Sequence, residues 1–152
     1  MTRFREVQPF WHNRVMLVVF VVVAAFVVLG VVAGGGRGQS VAGVAVLASM
    51  AALLAVRLVT TVDDGGVRVR FPPLKGRYLP FEQIAAFADE RYSPMREFGG
   101  WGYRIGGRGK RAYNVSGNRG VRVHLVDGKE VVIGSRRSGE LADAIRIGVP
   151  DV

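Results

Sequence analysis

The residue types best suited to binding chemistry lie in a glycine-rich tract near the middle of the chain, from Gly99 to Gly120. Cationic and aromatic side chains are interleaved there, and glycine-loop amides together with guanidinium groups bind phosphates and lipid headgroups well. The aromatic side chains would also suit stacking against nucleobases. The candidate residues for a ligand or lipid are Trp101, Arg104, Arg108, Lys110, Arg111 and Arg119. The plainer interpretation, which the pattern favours, is that the glycines form hairpin loops and the arginines face solvent.

The sequence contains no set of residues with the spacing of a catalytic or metal centre. Cys is absent from the 152 residues and His occurs only twice, which excludes thiolate chemistry and nearly excludes a multi-His metal site. The adjacent acids Asp63-Asp64 and Asp89-Glu90 suit turns, or opposite faces of a strand, better than one active site. Gly107–Ala112 fits the loose dinucleotide-binding spacing, but no strand–helix–strand unit surrounds it. We therefore predict no enzymatic activity, no metal and no cofactor.

The elements that must position the glycine-rich tract begin with an apolar segment. Hydrophobic residues make up 49% of the chain and charged residues only 22%, and the apolar excess is concentrated near the N-terminus. From Val15 to Ala33 no side chain is charged or capable of hydrogen bonding. At about 1.5 Å per residue this segment matches the hydrocarbon thickness of a bilayer, which predicts a transmembrane helix. A cleaved signal peptide is the competing interpretation, but the apolar segment is too long for one.

A second apolar segment, Val41 to Val56, follows a glycine-rich turn over 34–40. It is slightly short for a bilayer, and it reaches Val59 if Arg57 extends its side chain to the headgroups. We therefore expect two antiparallel transmembrane helices. Several arginines flank the hairpin on its two chain ends, whereas the turn carries only Arg37, so the positive-inside rule places both termini in the cytoplasm.

Small residues recur on both predicted helices at spacings that allow two backbones to approach closely. The candidates for helix packing are Gly30, Gly34, Ala45, Ala48, Ser49 and Ala52. The two glycines form a G-x-x-x-G pattern, and the other four lie three or four residues apart, on one face of the second helix. The alternative is that the glycine pattern arises by chance in a glycine-rich terminus.

Beyond the second helix the sequence changes to short apolar runs separated by glycine. Val67–Phe71 alternates as a half-buried strand, and Asp127-Gly128 between two alternating runs predicts a hairpin with a two-residue turn. Residues 138–147 have the pattern of an amphipathic helix with Ser138 at its N-cap. The pattern predicts an α+β domain of seven short antiparallel strands, arranged as a small barrel or bent sheet and closed by the C-terminal helix.

Several of these segments resemble bacterial pleckstrin-homology-like (PH-like) membrane proteins. Leu79–Ile84 resembles the Leu-Pro-x-x-x-Ile motif that leads into a strand of that family. Asp127–Ser135 with Glu140-Leu141 resembles the tail that runs into the closing helix. Phe4–Trp11 and Tyr92–Gly102 are similar to segments of a small family of two-transmembrane-helix proteins with such a domain. The resemblance implies a seven-stranded PH-like barrel, and it implies no activity.

The charge of the chain indicates the kind of partner. The formal net charge is +9, and residues 57–152 carry 17 basic and 11 acidic side chains. Beside a membrane this surplus attracts anionic lipid headgroups. Nucleic acid is not expected as a partner, because no reader motif accompanies the charge. The strong preference for Arg over Lys indicates a GC-rich prokaryotic genome.

We therefore expect a two-span protein of the bacterial inner membrane. Its predicted parts are a cytoplasmic juxtamembrane segment (1–14), a first helix (15–33), an external turn (34–40), a second helix (41–59) and a cytoplasmic PH-like domain (60–152). The expected function is a membrane-anchored binding or scaffold module that recruits a protein partner. The alternatives are an accessory subunit of a larger membrane complex and a binder of anionic lipid or phosphorylated ligand through the Gly/Arg-rich tract.

Overall fold

The fold is α+β, with two apolar helices followed by two β-sheets. The computed structural model describes residues 1–34 and 36–149, and of Arg108 it describes the backbone alone. Pro9–Val56 forms one compact unit, and the residues on either side of that range form the other. We call the first unit the helical hairpin and the second the domain.

Helix α1 spans Arg14–Val32 and helix α2 spans Arg37–Ala55, and both are long and apolar enough to cross a membrane. A short 3-10 turn precedes α1, and the side chain of Asn13 caps α1 by accepting a hydrogen bond from the Met16 amide at 3.2 Å. Helix α2 begins earlier than the sequence predicts. Gly36 is extended at its N-cap and its carbonyl accepts from the Gln39 and Ser40 amides, so these two residues are helical rather than part of the turn.

Helices α1 and α2 pack closely at Gly43, the buried residue of α2. A Cβ atom there would lie 3.0 Å from Cγ1 of Val27 and 3.3 Å from Cγ2 of Val31. The packing candidates lie elsewhere: Ala45, Ala48, Ser49 and Ala52 are exposed, Gly30 is half-buried beside Gln39, and Gly34 is exposed after the end of α1. The close contact within the hairpin therefore uses a glycine that the spacing argument did not select.

The domain contains a four-stranded sheet in the order β1-β2-β3-β4. Its strands are β1 (Phe4–Pro9), β2 (Arg57–Val62), β3 (Gly66–Arg70) and β4 (Arg77–Pro80). Strand β2 begins directly after α2, so Leu58 and Val59 are buried in the sheet instead of lengthening the second apolar helix as predicted. The predicted turn at 63–66 joins β2 to β3, where Asp63 Oδ1 accepts from the amides of Gly65 and Gly66 at 3.0 Å each.

The second sheet has five strands in the order β5-β8-β9-β7-β6. They are β5 (Ile84–Arg91), β6 (Gly102–Ile105), β7 (Lys110–Asn114), β8 (Arg119–Leu125) and β9 (Glu130–Gly134). The predicted hairpin at Asp127-Gly128 is confirmed as the β8–β9 pair, although four residues separate the strands instead of two. Strands β7 and β9 pair in parallel, contrary to the all-antiparallel prediction, and β8 pairs antiparallel along the other edge of β9.

The sheets do not close into the predicted barrel. In the part of the chain that the structure describes, the two sheets share no strand pairing and both remain open. Helix α3 (Pro94–Phe98) lies between β5 and β6, and helix α4 (Ser138–Gly148) packs against strands of both sheets. The apolar face of α4 is confirmed, since Leu141 and Ile145 are fully buried. The prediction of Ser138 as N-cap is wrong, because Arg137 holds that position and Ser138 is the first helical residue.

Strand β1 is an element that the sequence did not indicate. Its inward side chains are Phe4, Glu6 and Gln8, so a carboxylate and an amide stand where the alternation of a strand would place apolar residues. Glu6 accepts hydrogen bonds from the Ser135 hydroxyl at 2.5 Å and from the Arg136 amide at 3.1 Å. Gln8 Nε2 donates to the Gly134 carbonyl at 2.9 Å. The segment before α1 is thereby bound to the corner between β9 and α4.

Replacement of Glu6 by alanine should destabilise the domain. The change leaves the buried Ser135 hydroxyl and the Arg136 amide without their acceptor, which costs about 1–3 kcal/mol. Arg5→Ala is the matched control, because Arg5 is exposed on the same strand. Denaturant unfolding of the detergent-solubilised protein measures both. Equal midpoints for the two variants would contradict the assigned role of Glu6.

A charged cluster ties α3 to the second sheet. Arg122 is 12% exposed and contacts the carboxylates of Glu90, Glu97 and Glu130, with 2.8 Å between its Nη2 and Oε2 of Glu97. Burial acts to raise the pKa of Glu97, but the amide of Ser93 and the Arg122 guanidinium outweigh it and hold that pKa below its ordinary value. Glu97 therefore links the start of α3 to β8.

The stabilising effect of Glu97 should depend on pH. Because its folded-state pKa is lowered, its contribution is complete above the ordinary glutamate pKa and is lost as pH falls through the folded value. Glu97→Gln should therefore lower the unfolding midpoint at neutral pH, and the difference from wild type should shrink in acid. Glu82→Gln, at an exposed position, is the control. A deficit for Glu97→Gln that stays constant with pH would argue against this assignment.

Candidate functional site

A cavity of about 460 Å³ lies in the domain, with walls from both sheets. One wall runs from the end of β3 to the start of β4, and the other comes from β6 and β7. Strands β4 and β6 are edge strands of their sheets, so the cavity lies where edges of the two open sheets face each other. We call it the Arg77 cavity, and its lining residues are Phe71, Leu74, Lys75, Gly76, Arg77, Tyr103, Arg111 and Tyr113.

The first wall depends on a tight turn after β3. Pro72 and Pro73 cannot continue the hydrogen-bonded ladder of the sheet, and the Leu74 amide closes the turn on the Phe71 carbonyl at 2.7 Å. Gly76 then passes directly over β3, where a Cβ atom would lie 2.5 Å from Cβ of Arg70 and 2.6 Å from the Val69 carbonyl oxygen. Only glycine fits this approach, which brings Lys75 and Arg77 to the cavity.

Three aromatic rings form a continuous surface, with Phe71 in the first wall and Tyr113 and Tyr103 in the second. Tyr113 is buried and stacks on Phe71, with 6.4 Å between ring centroids and 20° between ring planes. Tyr103 faces Tyr113 across the β6–β7 pair, with 5.0 Å between centroids, and it remains 42% exposed. Burial raises the pKa of the Tyr113 hydroxyl and Tyr103 raises it further, whereas Arg77 and Arg111 act to lower it. Both guanidinium groups are thus within electrostatic reach of this phenol.

Three cations line the cavity, and no carboxylate does. Lys75, Arg77 and Arg111 take part in none of the ion pairs found among the described residues. Nη1 of Arg77 is buried and donates no hydrogen bond to any group that the structure describes. The pKa of Asp127 is lowered mainly by hydrogen bonds from Lys129, and the charge of Arg77 is only a minor contribution. The cavity therefore concentrates positive charge that the described protein groups do not neutralise.

A second, smaller cavity of about 200 Å³ lies on the other side of the same turn. It shares residues 74–77 with the Arg77 cavity and adds Arg68, Arg70 and Tyr78. The Arg68 guanidinium lies over the Tyr78 ring, 5.1 Å from its centroid. Cations therefore flank the turn on both sides.

The structure disperses most of the residues that the sequence nominated as ligand candidates. Of the six, Arg111 lines the cavity, and the side chain of Arg108 lies outside the described part of the chain. Lys110 pairs with Glu130 at 3.4 Å and Arg119 with Asp89 at 3.6 Å. Arg104 Nε donates to the Trp101 carbonyl at 3.0 Å, and Trp101 Nε1 donates to the Gly117 carbonyl at 3.2 Å.

The sequence argument missed the residues of the first wall. Phe71, Lys75 and Arg77 precede the glycine-rich tract by more than 20 positions. The signal that was available is the Pro-Pro pair followed by Lys75-Gly76-Arg77, a turn with two cations separated by one glycine. No pattern in the sequence indicates that this turn faces β7. Tyr103 and Tyr113 were noted only as interleaved aromatics of the tract.

Comparison with known proteins identifies no relative, since no protein-family model and no curated protein matches the sequence. The PH-like resemblance therefore stays a prediction. Among the described residues, no group of three or more His, Cys, Asp or Glu side chains is placed to hold a metal ion. The chemistry that the cavity offers is cationic and aromatic.

Substitution of Gly76 should disturb the first wall. In Gly76→Ala the new methyl group meets the backbone of β3, and we expect a loss of about 1–3 kcal/mol in the free energy of unfolding, typical of overpacking. Gly107→Ala is the matched control, because a Cβ atom at Gly107 has no neighbour within 4 Å. Thermal unfolding compares the two variants. A loss for Gly107→Ala as large as that for Gly76→Ala would refute the close approach.

Proposed function

We propose that this chain is a two-span membrane protein whose domain binds a phosphate-bearing ligand in the Arg77 cavity. One observation carries the proposal: Lys75, Arg77 and Arg111 converge on a cavity lined by no carboxylate, and none of the three takes part in an ion pair among the described residues. Cations that converge without a counter-charge repel one another, and an anion with several acceptor oxygens would neutralise them and accept their hydrogen bonds. A phosphate group is the common biological anion with that geometry.

The membrane part of the proposal rests on the exposure of the hairpin. Within α1, all of whose residues the structure describes, only Phe20 is buried, and large apolar side chains such as Val18, Phe26 and Leu29 are more than 60% exposed. A soluble protein would leave few such surfaces in water, whereas a bilayer covers them. Arg37 alone charges the connection between the helices.

The proposed membrane topology follows from the sheet that contains both strands flanking the helical hairpin. Strand β1 precedes α1 and strand β2 follows α2, and both belong to the same sheet. If both helices cross the membrane, the two chain ends emerge on one side. The flanking arginines favour the cytoplasmic side, so we propose an inner-membrane protein of a bacterium with the domain in the cytoplasm. We retain a PH-like domain in this proposal, supported by the packing of α4 against strands of both sheets.

The proposed ligand would be held mainly by charge-assisted hydrogen bonds. Arg77 and Arg111 supply planar donor groups that match phosphate oxygens, and Lys75 adds a mobile point charge. The phosphate could come from a lipid headgroup or from a soluble phosphate ester, since the cations recognise the chemistry that both share. Recruitment of a protein partner stays a prediction of the sequence.

A second candidate role, as an accessory subunit, is favoured by one observation on α2. Its small residues at 45, 48, 49 and 52 are exposed instead of packing on α1, so they are available to a further membrane helix. This role does not compete with ligand binding in the domain.

Binding should be lost when the guanidinium groups are removed. Arg77→Met and Arg111→Met should each weaken binding at least tenfold, because each removes a charge-assisted contact worth about 1.5–3 kcal/mol. Arg96→Met, an exposed position on α3, removes the same charge away from the cavity as a control. Because Nη1 of Arg77 is buried with no acceptor among the described groups, Arg77→Met should leave the unliganded protein as stable as wild type or more so.

Two measurements distinguish the sources of the phosphate. Native mass spectrometry of the detergent-solubilised full chain, with phosphatidylglycerol or phosphatidylcholine supplied, measures retention of an anionic headgroup. Equilibrium titration with inorganic phosphate and with ribose 5-phosphate measures the soluble class. Binding in either experiment that Arg77→Met and Arg111→Met reduce, and Arg96→Met does not, supports the proposal. Absence of binding in both, or equal binding by all four proteins, would overturn it.

A further inference from the structure

The walls of the Arg77 cavity contain more than a phosphate requires. Its volume of about 460 Å³ lies within the range of about 300–1,000 Å³ typical of small-molecule sites, and it exceeds what one phosphate group fills. Once the anion is placed against Arg77 and Arg111, three aromatic rings remain in the lining, those of Phe71, Tyr103 and Tyr113, together with residues 74–76 of the turn. The chemistry of that lining indicates what the rest of the ligand is.

The three aromatic rings of the cavity comprise two that are buried and one that is exposed. Phe71 and Tyr113 are 5% and 7% exposed and stacked, so neither ring is free to move. Tyr103 packs on Tyr113 and keeps 42% of its surface exposed at the cavity. A preorganised, exposed ring beside cations is the arrangement that stacks a flat ring of a ligand, since stacking needs one fixed face.

The polar groups of the wall argue against an acyl chain as the remaining part of the ligand. Tyr103 and Tyr113 carry hydroxyl groups, and Lys75 and Arg111 stand beside them. A hydrocarbon chain would desolvate these groups without offering them an acceptor, whereas a heterocyclic ring carries acceptor nitrogens and oxygens at its edge. The lining has no side-chain amide and no carboxylate, the groups that read the edges of adenine and of cytosine, and its arginines are assigned to the phosphate.

We infer that the ligand is a nucleoside phosphate, with its phosphate on Arg77 and Arg111 and its base stacked on Tyr103. This inference rests on the proposed function and specifies the class of its ligand. Recognition by stacking alone implies little selection among bases, and purines bind somewhat more tightly than pyrimidines because they offer a larger face.

The test compares two ligands that differ only by the base. Adenosine 5′-monophosphate and ribose 5-phosphate are titrated separately into the detergent-solubilised full chain. The expected result is about tenfold tighter binding of the nucleotide, from one base–aromatic stack. Tyr103→Leu should abolish that difference, and Tyr103→Phe should keep it. Ribose 5-phosphate should bind all three proteins equally, which controls for folding of the variants.

The outcomes separate this inference from the proposed function. If both ligands bind wild-type protein equally tightly through Arg77 and Arg111, the base is not recognised and the inference is wrong, while phosphate binding stands. If only phosphatidylglycerol binds, the inference is likewise wrong and the ligand is a lipid headgroup. If Tyr103→Phe loses the preference together with Tyr103→Leu, the hydroxyl rather than the ring carries it, and the stacking geometry is overturned.

Discussion

The approach of Gly76 to strand β3 is the constraint on which the cavity depends. The chain leaves β3 at Phe71, turns through two prolines, and returns across its own strand at a distance that no side chain could occupy. That return places Lys75 and Arg77 opposite Tyr103 and Arg111, which belong to the other sheet. Without that return, the turn would not hold Lys75 and Arg77 beside the second wall.

The cavity also requires that the two sheets have open edges. A closed barrel would pair β4 with a neighbour and fill the space between the sheets with side chains. Here β4 and β6 each end a sheet, and a cavity remains between the two walls. The cations that line this space have no carboxylate beside them in the lining, and that feature is the basis of the proposed phosphate site.

The sequence predicted elements well where their signal is local. The two apolar helices, the β8–β9 hairpin and the amphipathic face of α4 follow from periodicity and turn residues, and all are present. The missed strand β1 shows the limit, because its inward residues include Glu6 and Gln8 and its one exposed aliphatic residue, Val7, points outward. Only its partners near Ser135, on the far side of the sequence, explain that inverted pattern.

The candidate site also depends on contacts between residues that are distant in the sequence. Arg111 was selected from composition, and Lys75 and Arg77 were not, because a basic residue in a loop is indistinguishable from a solvated one until its surroundings are known. Lys110 and Arg119 illustrate the reverse case, since carboxylates on neighbouring strands engage them. Pairing between distant strands decides which cations stay available, and no spacing in the sequence encodes it.

The most direct measurement of the central claim is the response of individual arginine side chains to phosphate. In nuclear magnetic resonance spectra of the ¹⁵N-labelled full chain in detergent, the Nε–Hε signals of Arg77, Arg111 and Arg96 are assigned by substitution and followed during titration with inorganic phosphate. The account predicts saturable shifts of the Arg77 and Arg111 signals, with Arg96 unchanged. Shifts of equal size at all three, or none at Arg77 and Arg111, would contradict it.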